Sequence, residues 1–375
     1  MSEWKKVKFL DYIELNPKVS IAKGEVCPFI EMANVDCNMR QPRCFEYKPF
    51  TSGVKFQTYD TVIARIEPCL QNGKGFLFTK QTTGFGSTEY LVFRAKPGKA
   101  TPLFVYYFMR THKIKTLMCN SMSGATGRQR VNNDVFLNLE IEIPPYDEQH
   151  RIATILSRYD SLIENYQKQI KLLEEAAQRL YKEWFIDLRF PGHENTKIVD
   201  GIPEGWEKKQ VGDVTPIKTG KKDANFGTDN GPFPFFTCAQ EPIKAPSYSF
   251  DTSAVILAGN GDFNVKLYRG KFEAYQRTYV LEPTNENMLY LLYFCISENM
   301  NRLATGASGS TIKFLTKGMI ESLVIIEPSI CVLDSFNQII EPIRTQKENL
   351  QSQIRLLTEA RDRLLPKLMS GEINV

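Results

Sequence analysis

The sequence predicts an α+β fold made of two mixed, strand-rich blocks, each followed by a long helix. Two observations lead to this prediction. Trp4 and Asp11 stand seven residues apart, and Trp206 and Asp213 repeat that spacing in the second half of the 375-residue chain. After each block, apolar residues recur at steps of three and four, which is the spacing of one face of a helix. A repeat of this size indicates two copies of one structural plan.

Further matches set the extent of the repeat. Gly124-Ala125-Thr126-Gly127 echoes Gly306-Ala307-Ser308-Gly309, and Leu172-Leu173-Glu174-Glu175-Ala176 echoes Leu356-Leu357-Thr358-Glu359-Ala360. We therefore divide the chain into a first block, a first helical region, a linker with the second block, and a second helical region. Their bounds are residues 1–146, 147–190, 191–333 and 334–375.

Each block is predicted to contain short strands and one short helix. β-branched and aromatic residues between turn residues are typical of strands. Such stretches occur at residues 61–66, 90–93, 255–258 and 278–281. Apolar stretches that suit a short helix follow at residues 103–109 and 289–295. The sequence therefore favours the same order of elements in both blocks.

The two long helices each have an apolar seam. Asp147 follows two prolines, and its carboxylate can accept the free N–H groups of a first helical turn. The seam of the first helix comprises Ile152, Ile155, Tyr159, Leu162, Tyr166, Ile170, Leu173, Ala177, Leu180 and Trp184. The seam of the second comprises Phe336, Ile339, Ile343, Leu350, Ile354, Leu357, Leu364 and Leu368. Lys347 and Arg361 interrupt the second seam, and Pro342 is predicted to bend its first turns.

The length of the helices favours a pairing between them. About 35 residues of helix measure about 50 Å, which exceeds the width of a block of about 140 residues. We therefore expect the two seams to pair as an antiparallel coiled coil, which would give the chain pseudo-twofold symmetry. Two alternatives remain: each helix packs on its own block, or the seams bind a partner protein.

Composition excludes several classes of protein. Hydrophobic residues make up 42% and charged residues 24% of the chain, as in ordinary globular proteins. Apolar runs stay well below the roughly 20 residues that span a bilayer, and the first residues lack the apolar stretch of a secretory signal. The eight cysteines include no CxxC pair, which predicts reduced thiols in a cytoplasmic protein.

Positive charge is concentrated in the first block. Residues 1–146 contain 20 lysines and arginines against 13 aspartates and glutamates, whereas residues 201–333 contain 13 against 14. The first block therefore suits a polyanionic partner. In the second block, any contact with a polyanion must depend on local patches.

The residues of several catalytic and cofactor sites are missing. The three histidines occur without an HExxH motif, so we expect no metal site. The Gly-Lys turns at residues 72–75 and 219–222 do not form a GxxxxGK(S/T) loop, and we expect hairpin turns whose Lys74 and Lys221 are solvated or touch a phosphate. Ile143-Pro144-Pro145-Tyr146 resembles the Asn/Asp-Pro-Pro-Tyr motif of amino methyltransferases, but isoleucine has no oxygen to accept a hydrogen bond from the target amine. We therefore predict neither a catalytic residue nor a cofactor in this chain.

Polar loops in corresponding places are the candidates for binding. Residues 121–130 are rich in small residues and end in two arginines around a glutamine, and residues 306–313 are their match. Small residues let a backbone approach a phosphate, and arginine and glutamine can form paired hydrogen bonds with guanine and adenine. The candidate DNA-binding residues are Lys74, Ser87, Thr88, Arg128, Gln129, Arg130, Lys221, Gln276, Arg277, Ser310, Thr311 and Lys313. For each of them alone, a solvated loop residue is the better interpretation; the recurrence of the loop in both copies favours binding.

Several motifs resemble the specificity subunit of type I restriction–modification systems. They are Pro144-Pro145-Tyr146-Asp147-Glu148-Gln149 before the first helix, Leu180-Tyr181-Lys182-Glu183-Trp184-Phe185-Ile186-Asp187 at its end, Gly205-Trp206 at the start of the second copy, and Arg363-Leu364-Leu365-Pro366-Lys367-Leu368-Met369-Ser370-Gly371-Glu372-Ile373. Ser87-Thr88-Glu89 is also typical of this family. The resemblance covers the whole chain.

The resemblance implies a non-catalytic reader of double-stranded DNA. Two target-recognition domains would each bind half of a bipartite site, and the paired helices would set the spacer. Two modification subunits, which bind S-adenosylmethionine and methylate adenine N6, would dock around the helices, and two restriction subunits would use ATP and Mg. The helix residues expected to contact partners are Tyr159, Tyr166, Leu173, Leu180, Trp184, Leu357 and Leu364. Two other interpretations remain: a coiled-coil adaptor that never touches DNA, and the remnant of a fused methyltransferase.

Overall fold

Two compact units make up the protein. The computed structural model describes residues 4–125, 127–309 and 313–375. Unit 1 comprises Met1–Ile170 and Asn349–Val375, and unit 2 comprises Lys171–Glu348. Unit 1 is therefore built from both ends of the chain, and each long helix begins in one unit and ends in the other.

Unit 1 combines short strands with short helices and parts of the long ones. Its elements are β1 (Lys5–Lys8), α1 (Phe9–Tyr12), β2 (Ile13–Leu15), β3 (Val26–Ile30), β4 (Glu46–Pro49), β5 (Val54–Gln57), β6 (Thr61–Ala64), β7 (Gly75–Leu77), β8 (Thr83–Gly86), β9 (Tyr90–Ala95), α2 (Pro102–Met109), α3 (His112–Asn120) and β10 (Glu140–Ile143). The first long helix, α4 (Tyr146–Tyr181), follows, and a π-helical turn (Lys182–Ile186) extends it.

Unit 2 repeats this plan with longer strands. Its elements are β11 (Ile198–Val199), β12 (Ile202–Pro203), β13 (Glu207–Gln210), α5 (Val211–Val214), β14 (Ile217–Thr219), β15 (Phe233–Phe236), β16 (Ile243–Ala245), β17 (Phe250–Ala258), β18 (Val265–Ala274), β19 (Thr278–Leu281), α6 (Leu289–Glu298), α7 (Met300–Gly306), α8 (Lys317–Glu321) and β20 (Val324–Glu327). The second long helix, α9 (Ile330–Met369), follows. The strands and short helices predicted at residues 61–66, 90–93, 103–109, 255–258, 278–281 and 289–295 are confirmed.

The sheets of the two units have the same strand order. In unit 2, one sheet runs in the order β14-β19-β17-β18-β15-β16. In unit 1, the corresponding order is divided between two sheets, β2-β9-β6-β7 and β4-β3-β8-β5. The parallel pairs β3/β8 and β15/β18 occupy the same place in the two strand orders. Strands β5 and β6 together therefore correspond to β17, and strands β7 and β8 together correspond to β18. The internal repeat predicted from the sequence is therefore present in the topology.

A turn at residues 58–60 interrupts the long strand of unit 1. Tyr59 has a positive φ of 67°. The buried Asp60 accepts hydrogen bonds from Gln57 N (2.7 Å) and from the guanidinium of Arg94 (2.7 and 2.8 Å). Because a residue in the left-handed region cannot continue a pleated strand, this turn separates β5 from β6 and divides the sheet.

Each unit buries its main core between a sheet and a short apolar helix. In unit 1, Phe104 of α2 packs with Phe9 and Phe93, all fully buried. In unit 2, Leu292 of α6 packs in a core that includes Leu257 of β17. The short helices are apolar along most of their length, so several of their faces are buried.

Within each unit the two long helices run antiparallel. In unit 1, Arg151 Nε donates to the Val375 carbonyl (2.8 Å), and Arg361 pairs with Asp160 (2.6 Å). In unit 2, the helices are linked by an ion pair between Lys347 and Glu174 (2.6 Å) and by aromatic contacts. Residue numbers therefore rise along one helix as they fall along the other. The predicted antiparallel pairing is confirmed, and the two basic residues that interrupt the apolar seam have carboxylate partners on α4.

Both long helices begin earlier than predicted. α4 begins at Tyr146, so Asp147 lies in its first turn, where its charge faces the free N–H groups. α9 begins at Ile330 and continues through Pro342. A proline removes one hydrogen bond of a helix, and the remaining bonds continue the 40-residue helix on both sides of it.

Two seam residues were predicted wrongly. Leu162 and Ile339 are each 42% exposed, whereas the next residues, Ile163 and Ile340, are buried. A helix of 3.6 residues per turn drifts relative to a strict alternation of three and four. The buried face therefore moves by one residue at these two places.

Candidate functional site

The loop of residues 121–130 lies on the end of strand β6 in unit 1. Ser123 and Arg130 exchange two backbone hydrogen bonds (3.0 and 2.9 Å). Val131 N, directly after the loop, donates to the carbonyl of Arg65, directly after β6 (2.9 Å). The loop is therefore a hairpin fastened to the end of the sheet.

The matching loop of unit 2 is fastened in the same way. Ser308 and Phe314 exchange two backbone hydrogen bonds (3.0 and 2.8 Å), and Leu315 N donates to the carbonyl of Gly259, directly after β17 (2.8 Å). Phe314 therefore holds the position that Arg130 holds in unit 1. The two loops predicted to correspond occupy equivalent places in their units.

The strand register extends this equivalence to the neighbouring residues. Arg65 N donates to the carbonyl of Glu89 (2.8 Å), and Gly259 N donates to the carbonyl of Arg277 (2.8 Å). The strands β9 and β19 begin directly after Glu89 and Arg277. Glu89 and Arg277 are thus equivalent, although their charges are opposite.

Arg130 is bound to Glu89 in unit 1. Its Nε and Nη2 atoms donate to the carboxylate oxygens at 2.7 to 3.0 Å. The hydrogen bond from Arg130 holds the pKa of the Glu89 carboxyl below its usual range, and the same contact raises the pKa of Arg130. The side chains are 48% and 23% exposed, so solvent screens the attraction between them. The guanidinium of Arg130 is therefore less available to a polyanion than the sequence predicts.

The other polar residues at this end of unit 1 are more accessible. Arg128 is exposed, and its side chain has no hydrogen bond or ion pair with any residue that the structure describes. Gln129 is half-buried. Thr88 is exposed and borders a cavity of about 270 Å³ that Lys55 and Arg65 also line. Among the described residues of this loop, Arg128 is therefore the free cation.

Two further candidates of unit 1 form bonds within the protein. Lys74 Nζ donates to the carbonyl of Met32 (2.9 Å), and Ser87 Oγ accepts a hydrogen bond from Glu89 N (3.1 Å). Lys74 lies in the connection between β6 and β7, which pair as neighbours, so the prediction of a hairpin connection is confirmed. Both side chains support loops and have little freedom to bind a ligand.

The second Gly-Lys turn is not a hairpin turn. Residues 220–222 begin the connection from β14 to β15, which are not neighbours in the sheet. A side chain at Gly220 would lie 2.0 Å from the backbone oxygen of Ala274, at the end of β18, so only glycine fits there. The prediction is wrong because spacing along the chain does not show which strands pair. Lys221 is exposed beside this turn, and Gln276 Nε2 donates to Asp223 (2.7 Å).

Two exposed cations remain at this end of unit 2. Arg277 and Lys313 have no side-chain hydrogen bond or ion pair within the described ranges. Ser310 and Thr311, which were predicted in the same loop, lie outside the described residues. With Lys221, these cations form a local basic patch in a block that has no overall positive charge.

Sequence reasoning missed three residues at these sheet ends. Glu89 was named only as part of the stretch Ser87-Thr88-Glu89 and was not among the candidate binding residues, yet it holds Arg130. Arg65 has a buried Nε atom without a hydrogen-bond partner among the described residues. Lys222 Nζ lies 4.3 Å from the ring centre of Phe226. The Glu89–Arg130 contact has no signal in the sequence, because it depends on strand pairing.

The helix residues predicted to contact partners differ in exposure. Trp184 is buried in the core of unit 2, and its surface is not available. The half-buried ones are Tyr159, Tyr166, Leu173, Leu180, Leu357 and Leu364. Leu172 and Leu356, which were not predicted, are 63% and 54% exposed. They hold matching positions of the repeat, and a search for matched apolar residues outside the seam would have found them.

Two absences concern the described part of the chain. Within residues 4–125, 127–309 and 313–375, no group of three or more histidine, cysteine, aspartate or glutamate side chains is placed to hold a metal ion. The same residues include no helix whose length and hydrophobicity would let it cross a membrane.

Several known proteins are similar to this chain. The EcoDI specificity subunit of Escherichia coli is 36% identical over 176 residues, which cover 46% of this chain and 39% of that subunit. The MjaIX specificity subunit of Methanocaldococcus jannaschii is 28% identical over 299 residues, which cover 72% and 69%. The chain thus spans less than half the length of the first of these relatives.

A solved structure shows the same fold. The crystal structure of an S subunit of a type I restriction–modification system from M. genitalium matches 98% of this chain and 96% of its own, with a TM-score of 0.61 and 17% identity. A family model described as type I restriction modification DNA specificity domain matches residues 1–175 and 203–348. These two stretches include most of the chain and correspond to the two copies of the repeat. The protein therefore belongs to the type I restriction–modification DNA specificity family.

Proposed function

We propose that this chain is the non-catalytic, DNA-reading subunit of a type I restriction–modification complex. The strand-rich part of unit 1 is here called the first recognition domain and that of unit 2 the second; each would bind one half of a bipartite site in double-stranded DNA. The observation that carries the proposal is the duplicated loop at the same end of each sheet. The loops share a backbone frame but present different side chains, as reading two different half-sites requires.

The exposed cations at the sheet ends support contact with DNA. Arg128 lies at the end of the first recognition domain, and Lys221, Arg277 and Lys313 lie at the end of the second. Lysine and arginine at such positions bind phosphates and position a protein on the duplex, whereas arginine can also read base edges. Because the second domain has no net positive charge, its contact with DNA would depend on this local basic patch.

The long helices would dock the partners and set the spacer. We infer that Leu172 and Leu356 mark two docking positions for modification subunits. Exposed leucines in repeated positions suit two copies of one partner, because each copy can meet the same local surface. Two modification subunits would bind S-adenosylmethionine, and two restriction subunits would use ATP and Mg, in a cytoplasmic complex; this chain would hold no cofactor.

Coexpression with a modification subunit tests the proposal. Sequencing of methylated adenines should give a split motif, with two short halves around a fixed gap and one modified adenine on each strand. A complex that forms without such a motif would contradict DNA reading and favour a coiled-coil adaptor. Calorimetric titration of this chain alone with S-adenosylmethionine should show no binding; binding would favour a methyltransferase remnant.

A matched pair of variants tests the docking positions. Leu172→Asp and Leu356→Asp should each weaken the complex, and together they should abolish it, because a carboxylate cannot be buried in an apolar contact. The two leucines are exposed, so circular dichroism of the free chain should be unchanged. Assembly of the double variant at the wild-type level would contradict this assignment.

A further inference from the structure

Arg277 lies at the position that Glu89 holds in the first recognition domain. In both domains the carbonyl of this residue accepts a hydrogen bond (2.8 Å) from the residue that follows the central strand, Gly259 or Arg65. In both, the next residue begins the neighbouring strand. The two domains therefore carry opposite charges at one position of a shared backbone frame.

A cavity of about 330 Å³ adjoins Arg277 in the second domain. Its walls are formed by Gly259, Gln276, Arg277, Tyr279, Phe314 and Leu315. The Tyr279 hydroxyl donates to the carbonyl of Leu315 (2.8 Å), which holds one wall, and Phe314 is 37% exposed. In the first domain, the place of Phe314 is taken by Arg130, which is bound to Glu89.

The side chain of Arg277 is free, although its backbone is held. Its guanidinium has no hydrogen bond or ion pair with any residue in the described part of the chain. The five N–H donors of an arginine are therefore available for a ligand. The ring of Phe314 lines the same cavity, so one wall beside Arg277 is apolar.

We propose, on the basis of the proposed function, that Arg277 determines the specificity of the second recognition domain by recognising a guanine in its half-site. The forked donors of arginine match the O6 and N7 acceptors of guanine in the major groove. The exposed Lys221 and Lys313 suit the phosphates, because a phosphate contact requires a positive charge but not the paired N–H donors of a guanidinium. The Glu89–Arg130 pair gives the first domain no free guanidinium at this position.

The test compares the wild-type chain with Arg277→Lys and Arg277→Ala, each in the full complex with a modification subunit. Methylated adenines are sequenced, and methylation rates are measured on duplexes in which each base pair of both half-sites is replaced in turn. Arg277→Ala should lose roughly 10- to 100-fold of the selectivity for one guanine in one half-site. The other half-site should be unchanged. Arg277→Lys should lose less than Arg277→Ala, since an ammonium also reaches O6 and N7 of guanine but lacks the rigid fork of the guanidinium.

Lys208→Ala is the matched control. It removes an exposed cation from the same unit, in strand β13, and it should keep the motif. Because Arg277 makes no side-chain bonds with described residues, thermal melting of the Arg277 variants should match the wild type.

Several results would overturn the proposal. They are a half-site pair without guanine, an unchanged motif in Arg277→Ala, or a loss of methylation by Arg277→Ala that is equal on every sequence. The last result would indicate a phosphate contact. A wild-type complex that gives no bipartite motif at all would instead reject the proposed function, and that outcome is seen before any variant is compared.

Discussion

Replacing Arg361 with methionine should destabilise unit 1 by about 3–5 kcal/mol. The side chains of Arg361 and Asp160 are only 6% and 2% exposed, and they meet at 2.6 Å. Asp160 also accepts a hydrogen bond from the Tyr107 hydroxyl (2.5 Å), and Arg361 donates to the carbonyl of Asn38 (3.0 Å). Without the guanidinium, a buried carboxylate would lose its cationic partner, and an uncompensated buried charge is what makes the effect large.

The ion pair between the long helices in unit 2 is the control. Lys347 and Glu174 also meet at 2.6 Å, but their side chains are 28% and 52% exposed. Solvent screens this pair, so Lys347→Met should lower the free energy of unfolding by less than about 1 kcal/mol. Because the distances are equal, the difference between the two variants measures the effect of burial.

Hydrogen exchange detected by mass spectrometry is the assay, since it reports each unit separately. In Arg361→Met, the amides of α2 and α3 should exchange about 10²- to 10⁴-fold faster, which is 3–5 kcal/mol converted at about 1.4 kcal/mol per factor of ten. Peptides from unit 2 should be unchanged. Adding Asp160→Leu should restore part of the protection, because the second change removes the uncompensated charge. Unchanged exchange in the single variant, or no recovery in the double variant, would refute the argument.

Three further predictions concern DNA binding. Glu89→Gln should release Arg130 and strengthen non-specific binding, with a salt slope that is steeper by about one, measured by fluorescence anisotropy at several salt concentrations. Arg128→Ala should weaken binding by the assembled complex and reduce that slope by about one; an unchanged slope would show that the residue contacts no phosphate. Duplicating residues 164–170 together with 351–357 lengthens each helix by about 10 Å, so the spacer of the methylated motif should grow by about three base pairs. A motif with its original gap would contradict a spacer set by the helices.

The long helices were predictable because their pattern is local. Apolar steps of three and four depend only on helix geometry, and the same pattern occurs in both copies of the repeat. The burial of the Asp160 carboxylate was not predictable, because a search for apolar seams assigns charged residues to the surface. Arg361 was recognised as an interruption of the seam, but its partner lies 201 residues away along the chain. Local pattern alone does not reveal such a pair.

The candidate site was predictable in place but not in detail. The matched loops identified the sheet ends in both units, because a repeat preserves the order of elements. The bond between Glu89 and Arg130 could not be predicted, since it depends on the register of strand β9 against the loop. The same holds for the division of the first sheet at Tyr59, because nothing near that residue in the sequence distinguishes a positive φ from an extended conformation.

The two recognition domains show how one frame can accept different chemistry. The bonds that fasten each loop to its sheet are made by backbone groups, at Arg65 and Glu89 in one domain and at Gly259 and Arg277 in the other. Backbone donors and acceptors do not depend on the side chain, so side chains at these positions can change without loss of the loop. In the first domain an ion pair occupies this position. In the second, an arginine whose side chain has no hydrogen bond or ion pair among the described residues lies beside an aromatic ring and a cavity. The two domains therefore differ in the side chains that would contact a ligand. They share the backbone hydrogen bonds that hold the loop.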